Sequence, residues 1–191
     1  MEGNFTQDQI NYSRSYWFNF LPFYHMGARV SYPISTALTL NYWVTNGTQQ
    51  TEPFSNFKDQ LFGLTIRPNP KLSWNVNYYL GRDHPDVTIL RNPTNANLPT
   101  EQGVPFLPIG PSPKGKLHII DSYASWQVSP ALTLAVEGDY VIQRLETNSA
   151  PAHRLGGAVY ARYQISPRTA IAGRAEYLSD RADCLVVPHR P

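Results

Sequence analysis

Residues 132–142 read LTLAVEGDYVI, and the alternation along this stretch decides the fold class. Glu137 and Asp139 have odd numbers, and at helical spacing their carboxylates would interrupt the apolar stripe. At a period of two the apolar side chains all fall on one side. These even-numbered residues, apart from the small Gly138, are Leu132, Leu134, Val136, Tyr140 and Ile142. The stretch therefore predicts a β-strand with one apolar and one polar face.

The overall composition bounds the class of protein. The chain has 191 residues, enough for one domain with a sizeable core. Lys and Arg number 16 against 14 Asp and Glu, so the formal net charge is +2, and the basic residues form no run or stripe. Nucleic-acid binding depends on a concentrated basic surface. The charge balance therefore excludes nucleic acid as an expected partner.

Targeting signals and covalent constraints are sparse. No segment has the roughly 20 consecutive apolar residues of a transmembrane helix. The single cysteine, Cys184, excludes an intramolecular disulfide framework. Residues 1–15 lack the basic start and apolar stretch of a signal peptide. These features indicate either a cytoplasmic protein or one whose leader lies outside this chain.

Four short turn signals divide the chain into hairpins. Each has Pro, Ser or Asn between two alternating stretches, at residues 32–40, 66–74, 128–134 and 165–171. The apolar residues of the two strands share a parity within each hairpin, even in the first three and odd in the fourth. This is required if both strands show their apolar side chains to one side of a sheet. The pattern predicts eight antiparallel strands.

The connections between hairpins are longer. Residues 46–56 and 146–153 join neighbouring hairpins, and residues 87–116 form a proline-rich stretch that is unsuited to a helix or a central strand. Loops of this length are commonly functional. If the longest loop folds into a lumen, its charges would favour anions at a constriction; the alternative is an external loop that covers the mouth. The charged residues concerned are Arg91, Glu101, Lys114 and Lys116.

Alternation alone leaves two architectures open. In a soluble lipocalin-like barrel or β-sandwich the apolar face forms a core or encloses a ligand, whereas in a transmembrane barrel it faces lipid. Three observations favour the membrane. The polar face carries no lysine, Tyr and Trp lie near the ends of the apolar rows, and short turns alternate strictly with longer loops.

Charges on the polar face are candidates for lining a pore. Glu137 and Asp139 lie two apart on one strand, and Asp121 lies near them across the third hairpin, which predicts an acidic patch. Arginines on other strands are expected to form an opposing wall, and such a transverse field sets ion preference. The alternative is that these charges pair with one another. The full predicted lining is Arg29, Arg67, Asp121, Glu137, Asp139, Arg162, Arg174 and Glu176.

No pattern in the sequence indicates catalysis or a cofactor. A glycosidase needs paired carboxylates that flank a sugar, but Glu137 and Asp139 lie on one strand. Residues 81–86, GRDHPD, gather two aspartates and a histidine at a strand end. A metal site needs a fixed geometry that a proline-containing turn does not itself guarantee, so a polar loop is favoured. We expect no enzyme activity, no metal site and no cofactor.

Two stretches resemble a known family. Residues 11–47, NYSRSYWFNFLPFYHMGARVSYPISTALTLNYWVTNG, contain an SRS and a PFYHxG entry into a strand, a short turn and a strand ending near VxNG. Residues 57–81, FKDQLFGLTIRPNPKLSWNVNYYLG, add a hairpin that closes on YYxG. In motif order and spacing the chain resembles the OmpL-like β-barrel porin family of bacterial outer membranes over roughly residues 11–180. The resemblance implies an outer-membrane pore and carries over no catalytic residue.

Together these observations predict an all-β fold over residues 1–191, a single antiparallel up-and-down transmembrane β-barrel. The first strand begins, and the eighth ends, at the long-loop side, whereas an intact barrel has both termini at the short-turn side. We therefore expect a partial, open barrel of about eight strands, with further strands missing before residue 15 and after about residue 180.

The expected function is that of a porin in the bacterial outer membrane, through which small hydrophilic solutes or ions diffuse passively. Membrane lipid and these solutes are the expected partners, and a homo-oligomer is left open. A soluble lipocalin-like or β-sandwich ligand-binding module is the alternative.

Overall fold

A computed structural model of the chain describes residues 10–11, 13–16, 18, 22–53, 55–91, 100–101, 104–112, 114–144 and 150–181. Within these ranges, no helix is both long and apolar enough to cross a membrane. The same ranges form eleven strands: β1 His25–Pro33, β2 Leu38–Thr48, β3 Asp59–Asn69, β4 Leu72–Gly81, β5 Val87–Arg91, β6 Thr100–Glu101, β7 Val104–Pro111, β8 Leu117–Gln127, β9 Leu132–Gln143, β10 Ala152–Ser166 and β11 Thr169–Arg181.

Eight of these strands form one antiparallel sheet in the order β1-β2-β3-β4-β8-β9-β10-β11. Each strand pairs with its predecessor in this order, as in an up-and-down meander. In the described part of the chain β1 and β11 are the two edges and do not pair with each other, so the sheet is open. The prediction of an all-β, partial and open barrel with eight strands is confirmed.

The two ends of the sheet carry connections of different length. Short turns of residues 34–37, 70–71, 128–131 and 167–168 close the four predicted hairpins. The connections at the other end are longer, which confirms the predicted alternation. Two of them are shifted from their predicted bounds: β2 continues to Thr48 and β3 begins at Asp59, while β9 ends at Gln143 and β10 already begins at Ala152.

The longest connection contains a small sheet that the sequence did not predict. β7 lies between β5 and β6 and carries three prolines, yet this small sheet accommodates them. The register gives the reason. Residues 106–111 pair with β5, whereas residues 104–105 pair with β6. Each level of β7 therefore has a partner on one side only, as for an edge strand, where proline is tolerated.

The two faces of the eight-stranded sheet have opposite polarity. We call outer the face that bears the even-numbered residues of β1 to β4, β8 and β9 and the odd-numbered residues of β10 and β11; the other is the inner face. Outer apolar side chains are exposed, for example Leu134 at 37% and Val159 at 55%. Inner charged side chains such as Glu137 and Arg154 are buried. The predicted change of parity at the fourth hairpin is confirmed. The lipocalin-like alternative, with the apolar rows inside, is not the arrangement found.

A bulge in β1 generates a testable prediction. The β1–β2 register shifts between His25 and Gly27, and a Cβ on Gly27 would lie 2.0 Å from the backbone oxygen of Val44. Gly27→Ala is therefore expected to displace the ladder and to lower the free energy of unfolding by about 1–3 kcal/mol. Denaturant titration of the chain folded in detergent measures this change.

Gly138→Ala is the matched control, because an added Cβ there meets no atom within 4 Å. We expect it to change the free energy of unfolding by less than about 0.5 kcal/mol. Equal losses in the two variants would contradict the assigned role of the bulge.

Candidate functional site

The inner face carries all the residues that the sequence predicted to line a pore. Strand parity places them there on six strands, with the acidic residues of β8 and β9 flanked by arginines of other strands. Their role in lining a pore stays a prediction. They are Arg29 in β1, Arg67 in β3, Asp121 in β8, Glu137 and Asp139 in β9, Arg162 in β10, and Arg174 and Glu176 in β11.

Three buried carboxylates meet on the inner face. Asp121 and Asp139 lie directly opposite each other in the β8–β9 ladder, and Glu137 follows on the same side, opposite Tyr123. One oxygen of each carboxylate lies within 4.8 Å of the others. Like charges directly opposite on neighbouring strands repel each other. We call Asp121, Glu137 and Asp139 the acidic trio. Repulsion among their carboxylates must be offset by nearby hydrogen-bond donors or positive charge.

Two hydrogen-bond donors offset part of this repulsion. Asn77 Nδ2 donates to Asp121 Oδ2 at 2.7 Å, and the Tyr160 hydroxyl donates to Glu137 Oε2 at 2.9 Å. Within the described part of the chain, neither carboxylate oxygen of Asp139 has a hydrogen-bond partner, and Asp121 Oδ1 has none either. Buried polar atoms are almost always hydrogen-bonded. Sequence spacing predicted the acidic patch but not these donors.

Two of the predicted arginines are held by neighbouring side chains on the inner face. Arg29 Nη2 donates to Asn41 Oδ1 at 3.0 Å, and its guanidinium carbon lies 4.7 Å from the centroid of the Trp43 ring. Arg67 Nε donates to Ser73 Oγ at 3.4 Å. Polar and aromatic residues, rather than acidic ones, therefore orient these two guanidinium groups.

A third arginine anchors a segment that precedes β1. Arg174 donates to the carbonyl oxygens of Ser13 and Arg14 at 2.5 and 2.7 Å. Its Nη2 also lies 3.1 Å from Glu176 Oε1, so the predicted alternative of mutual pairing is realised here. The backbone N–H of Tyr16 donates to Glu176 Oε2 at 2.8 Å. The described residues of 10–18, which we call the inner segment, thus lie against the inner face.

The inner segment also makes an apolar contact with the inner face of the sheet. Ile10 packs against Ala135, Ala158 and Tyr160 of β9 and β10. Two of these three residues are small, which leaves room for a chain to approach the sheet. Sequence reasoning missed the inner segment, because residues 10–18 are irregular and show no periodicity that would indicate a contact more than a hundred residues away.

A buried ion pair on the last two strands was also missed. Arg154 is 2% exposed and forms a salt bridge with Asp180, a residue directly opposite in the β10–β11 ladder. The parity of the fourth hairpin places both residues on the inner face, so the signal was present in the sequence. Arg162, farther along β10, is exposed on the same face.

A second polar cluster lies at the long-loop end of the inner face. The Tyr79 hydroxyl contacts the carboxylates of Asp59 and Asp83. Asp83 also accepts hydrogen bonds from the backbone and hydroxyl of Thr48, and the backbone N–H of Arg82 donates to Asp59 at 2.9 Å. These contacts tie the end of β2 and the loop after β4 to the start of β3.

The possible ligands in residues 81–86 point to different partners. Asp86 pairs with the Arg82 guanidinium at 3.0 Å, and His84 lies with its Nε2 3.3 Å from the Gly115 carbonyl oxygen. Asp83 belongs to the cluster around Tyr79. The three side chains therefore do not converge on one point.

The charged residues of the longest connection occupy different positions. Arg91 ends β5 and Glu101 ends β6, and their side chains lie outside the described part of the structure. Lys116 lies with its ammonium 4.4 Å from the centroid of the Phe57 ring, and Lys114 and Lys116 line a groove at the start of β8. Their role at a constriction stays a prediction.

The anchoring of the inner segment gives a prediction for proteolysis. Trypsin cleaves after arginine, and the carbonyl of Arg14 is one of the groups that Arg174 holds. Arg174→Ala removes charge-assisted bonds worth about 1.5–3 kcal/mol each. We expect cleavage after Arg14 to become at least about tenfold faster, since proteolysis follows the open population. Arg168→Ala, in the β10–β11 turn, is the control and should leave this rate unchanged; an equal rate in both variants would contradict the contact.

No match was found among curated proteins or among solved structures. A family model described as "Putative beta-barrel porin-2, OmpL-like" matches residues 1–189, which is nearly the whole chain. The match agrees with the antiparallel meander and with the resemblance read from the motifs around residues 13–47. The chain belongs to this OmpL-like β-barrel porin family.

Proposed function

We propose that the protein acts as an outer-membrane pore through which small hydrophilic solutes and ions diffuse passively. Membership of a porin family points to a role for this protein other than that of an enzyme. The observation that carries the proposal is the polarity of the sheet: large apolar side chains are exposed on one face, while charged side chains lie on the other, where Glu137 and Arg154 among others are buried. Such a sheet suits hydrocarbon outside and water inside, as in an outer-membrane barrel.

The height of the apolar rows supports a membrane location. The rise from Leu132 to Tyr140 is about 27 Å along β9 at about 3.4 Å per residue. At a strand tilt of about 40° this corresponds to about 21 Å, close to the apolar band of about 25 Å in outer-membrane barrels. Exposed aromatic residues lie near both ends of the rows, for example Trp126 and Tyr163 at the short turns and Tyr24 and Tyr177 at the long loops.

Two pairs of polar side chains on the outer face are hydrogen-bonded within the sheet. Trp74 Nε1 donates to Ser122 Oγ at 2.9 Å across β4 and β8. Nearer the long loops, the Tyr78 hydroxyl lies 2.8 Å from His118 Nδ1. In hydrocarbon no water is present to satisfy such groups, so partners within the protein are required there. This pattern supports lipid on the outer side.

Charges along the inner face are separated along the proposed route. Counted along the strands, Arg67 and Arg162 lie closer to the short turns than Asp121 and Asp139 do. A solute would therefore pass a basic zone and an acidic zone in succession. Fixed charges of both signs orient polar solutes and bias ions without a step of chemistry. This arrangement supports diffusion rather than catalysis.

Substituting arginine at each of two neighbouring residues, one on each face, tests the membrane location. Val76→Arg places a cation on the outer face in the middle of β4 and is expected to cost about 2–4 kcal/mol of membrane stability. Asn75→Arg, one residue away on the inner face, should cost less because its charge meets water. Protease protection after folding into lipid vesicles measures both. A larger loss for Asn75→Arg than for Val76→Arg would reverse the assigned faces.

Planar-bilayer recording tests the pore itself. We expect steady open-channel steps from the full-length gene product. Arg174→Ala should raise the open-channel conductance, because the inner segment then loses its anchor on β11, whereas Arg168→Ala in the turn should match the wild type. Complete absence of current from correctly inserted protein would overturn the proposed function.

A further inference from the structure

We propose that the acidic trio binds one divalent cation of the Ca²⁺ class on the inner face. Calcium–oxygen distances are about 2.3–2.6 Å, so two ligands on opposite sides of the ion are about 4.6–5.2 Å apart. One carboxylate oxygen from each of Asp121, Glu137 and Asp139 already lies within 4.8 Å of the other two. One ion therefore fits between them without a shift of the strands.

The state of Asp139 independently points to a ligand. The residue is 2% exposed, and its carboxylate is directed into the trio. In the described part of the chain both of its oxygens, as well as the Oδ1 atom of Asp121, have no hydrogen-bond partner. A buried carboxylate without a partner is costly, because it has lost its hydration without replacement. A bound cation supplies the missing partner.

Two neighbouring side chains orient carboxylates of the trio. Asn77 occupies Oδ2 of Asp121, and Tyr160 donates to Oε2 of Glu137. Donors of this kind orient ligating carboxylates and are a common feature of metal sites. A single shared proton can join one pair of carboxylates, whereas a divalent cation compensates all three. The geometry therefore favours a cation over a proton.

The ligand chemistry selects the type of metal. All three side chains offer carboxylate oxygen, and none offers the nitrogen or sulfur that zinc and copper prefer. Mg²⁺ requires distances near 2.0–2.1 Å and usually keeps several waters. Three converging carboxylates suit Ca²⁺, which accepts six to eight oxygen ligands in flexible geometry, with further coordination from water.

Calcium titration of the full chain folded in detergent tests this proposal. We expect Ca²⁺ to raise the unfolding temperature of the wild type in a saturable manner relative to chelator, with about one ion bound per chain by equilibrium dialysis. In Asp139→Asn both effects should be lost. In chelator this variant should be at least as stable as the wild type, because one of three repelling charges is gone.

Glu52→Gln is the matched control, since it removes one acidic charge from an exposed loop position. It should keep the full response to Ca²⁺. Asp121→Asn provides a second test of the trio if Asp139→Asn does not fold. A wild type without saturable binding, or a full response in both aspartate variants, would overturn the proposal. Neither thermal unfolding nor equilibrium dialysis measures current. A negative result for Ca²⁺ binding therefore leaves the proposed pore untouched, and an absence of channel steps leaves the proposed cation site untouched.

Discussion

The inverted polarity of the eight-stranded sheet is the constraint on which the rest of the structure depends. Once Leu134 and Val159 face outward, their neighbours along the strand must face inward whatever their chemistry, because side chains alternate with a period of two. This places Asp139 and Arg154 at buried positions on the inner face. Each then needs a partner there. Arg154 finds Asp180 across the β10–β11 ladder, whereas Asp139 faces two further carboxylates.

Small residues on the inner face let the chain itself contact the wall. Ile10 approaches the sheet where Ala135 and Ala158 lie side by side, and Arg174 holds the backbone of the inner segment farther along β11. The segment thus reaches the sheet beside Tyr160, which also donates to the acidic trio. Apolar contact, backbone anchoring and acidic charge are therefore concentrated on the four neighbouring strands β8 to β11.

Local alternation made most of the sheet predictable from the sequence. Eight strands, the short turns and the change of parity all follow from a period of two, and the closeness of Asp121 to Glu137 follows from one hairpin. Contacts between distant segments were not predictable, since no periodicity links the inner segment to Arg174. The strand β7 was missed because the number of prolines suggested exclusion, whereas the side on which each level is paired decides whether a proline is tolerated.

Charge on the inner wall links the proposed cation site to the proposed pore. A divalent cation bound to the acidic trio adds two positive charges to this part of the inner face. Arg67 and Arg162 lie closer to the short turns and keep their charge in either state. Occupancy of the trio would therefore weaken the acidic zone while leaving the basic zone intact, and this shifts the ion preference of the whole route toward anions.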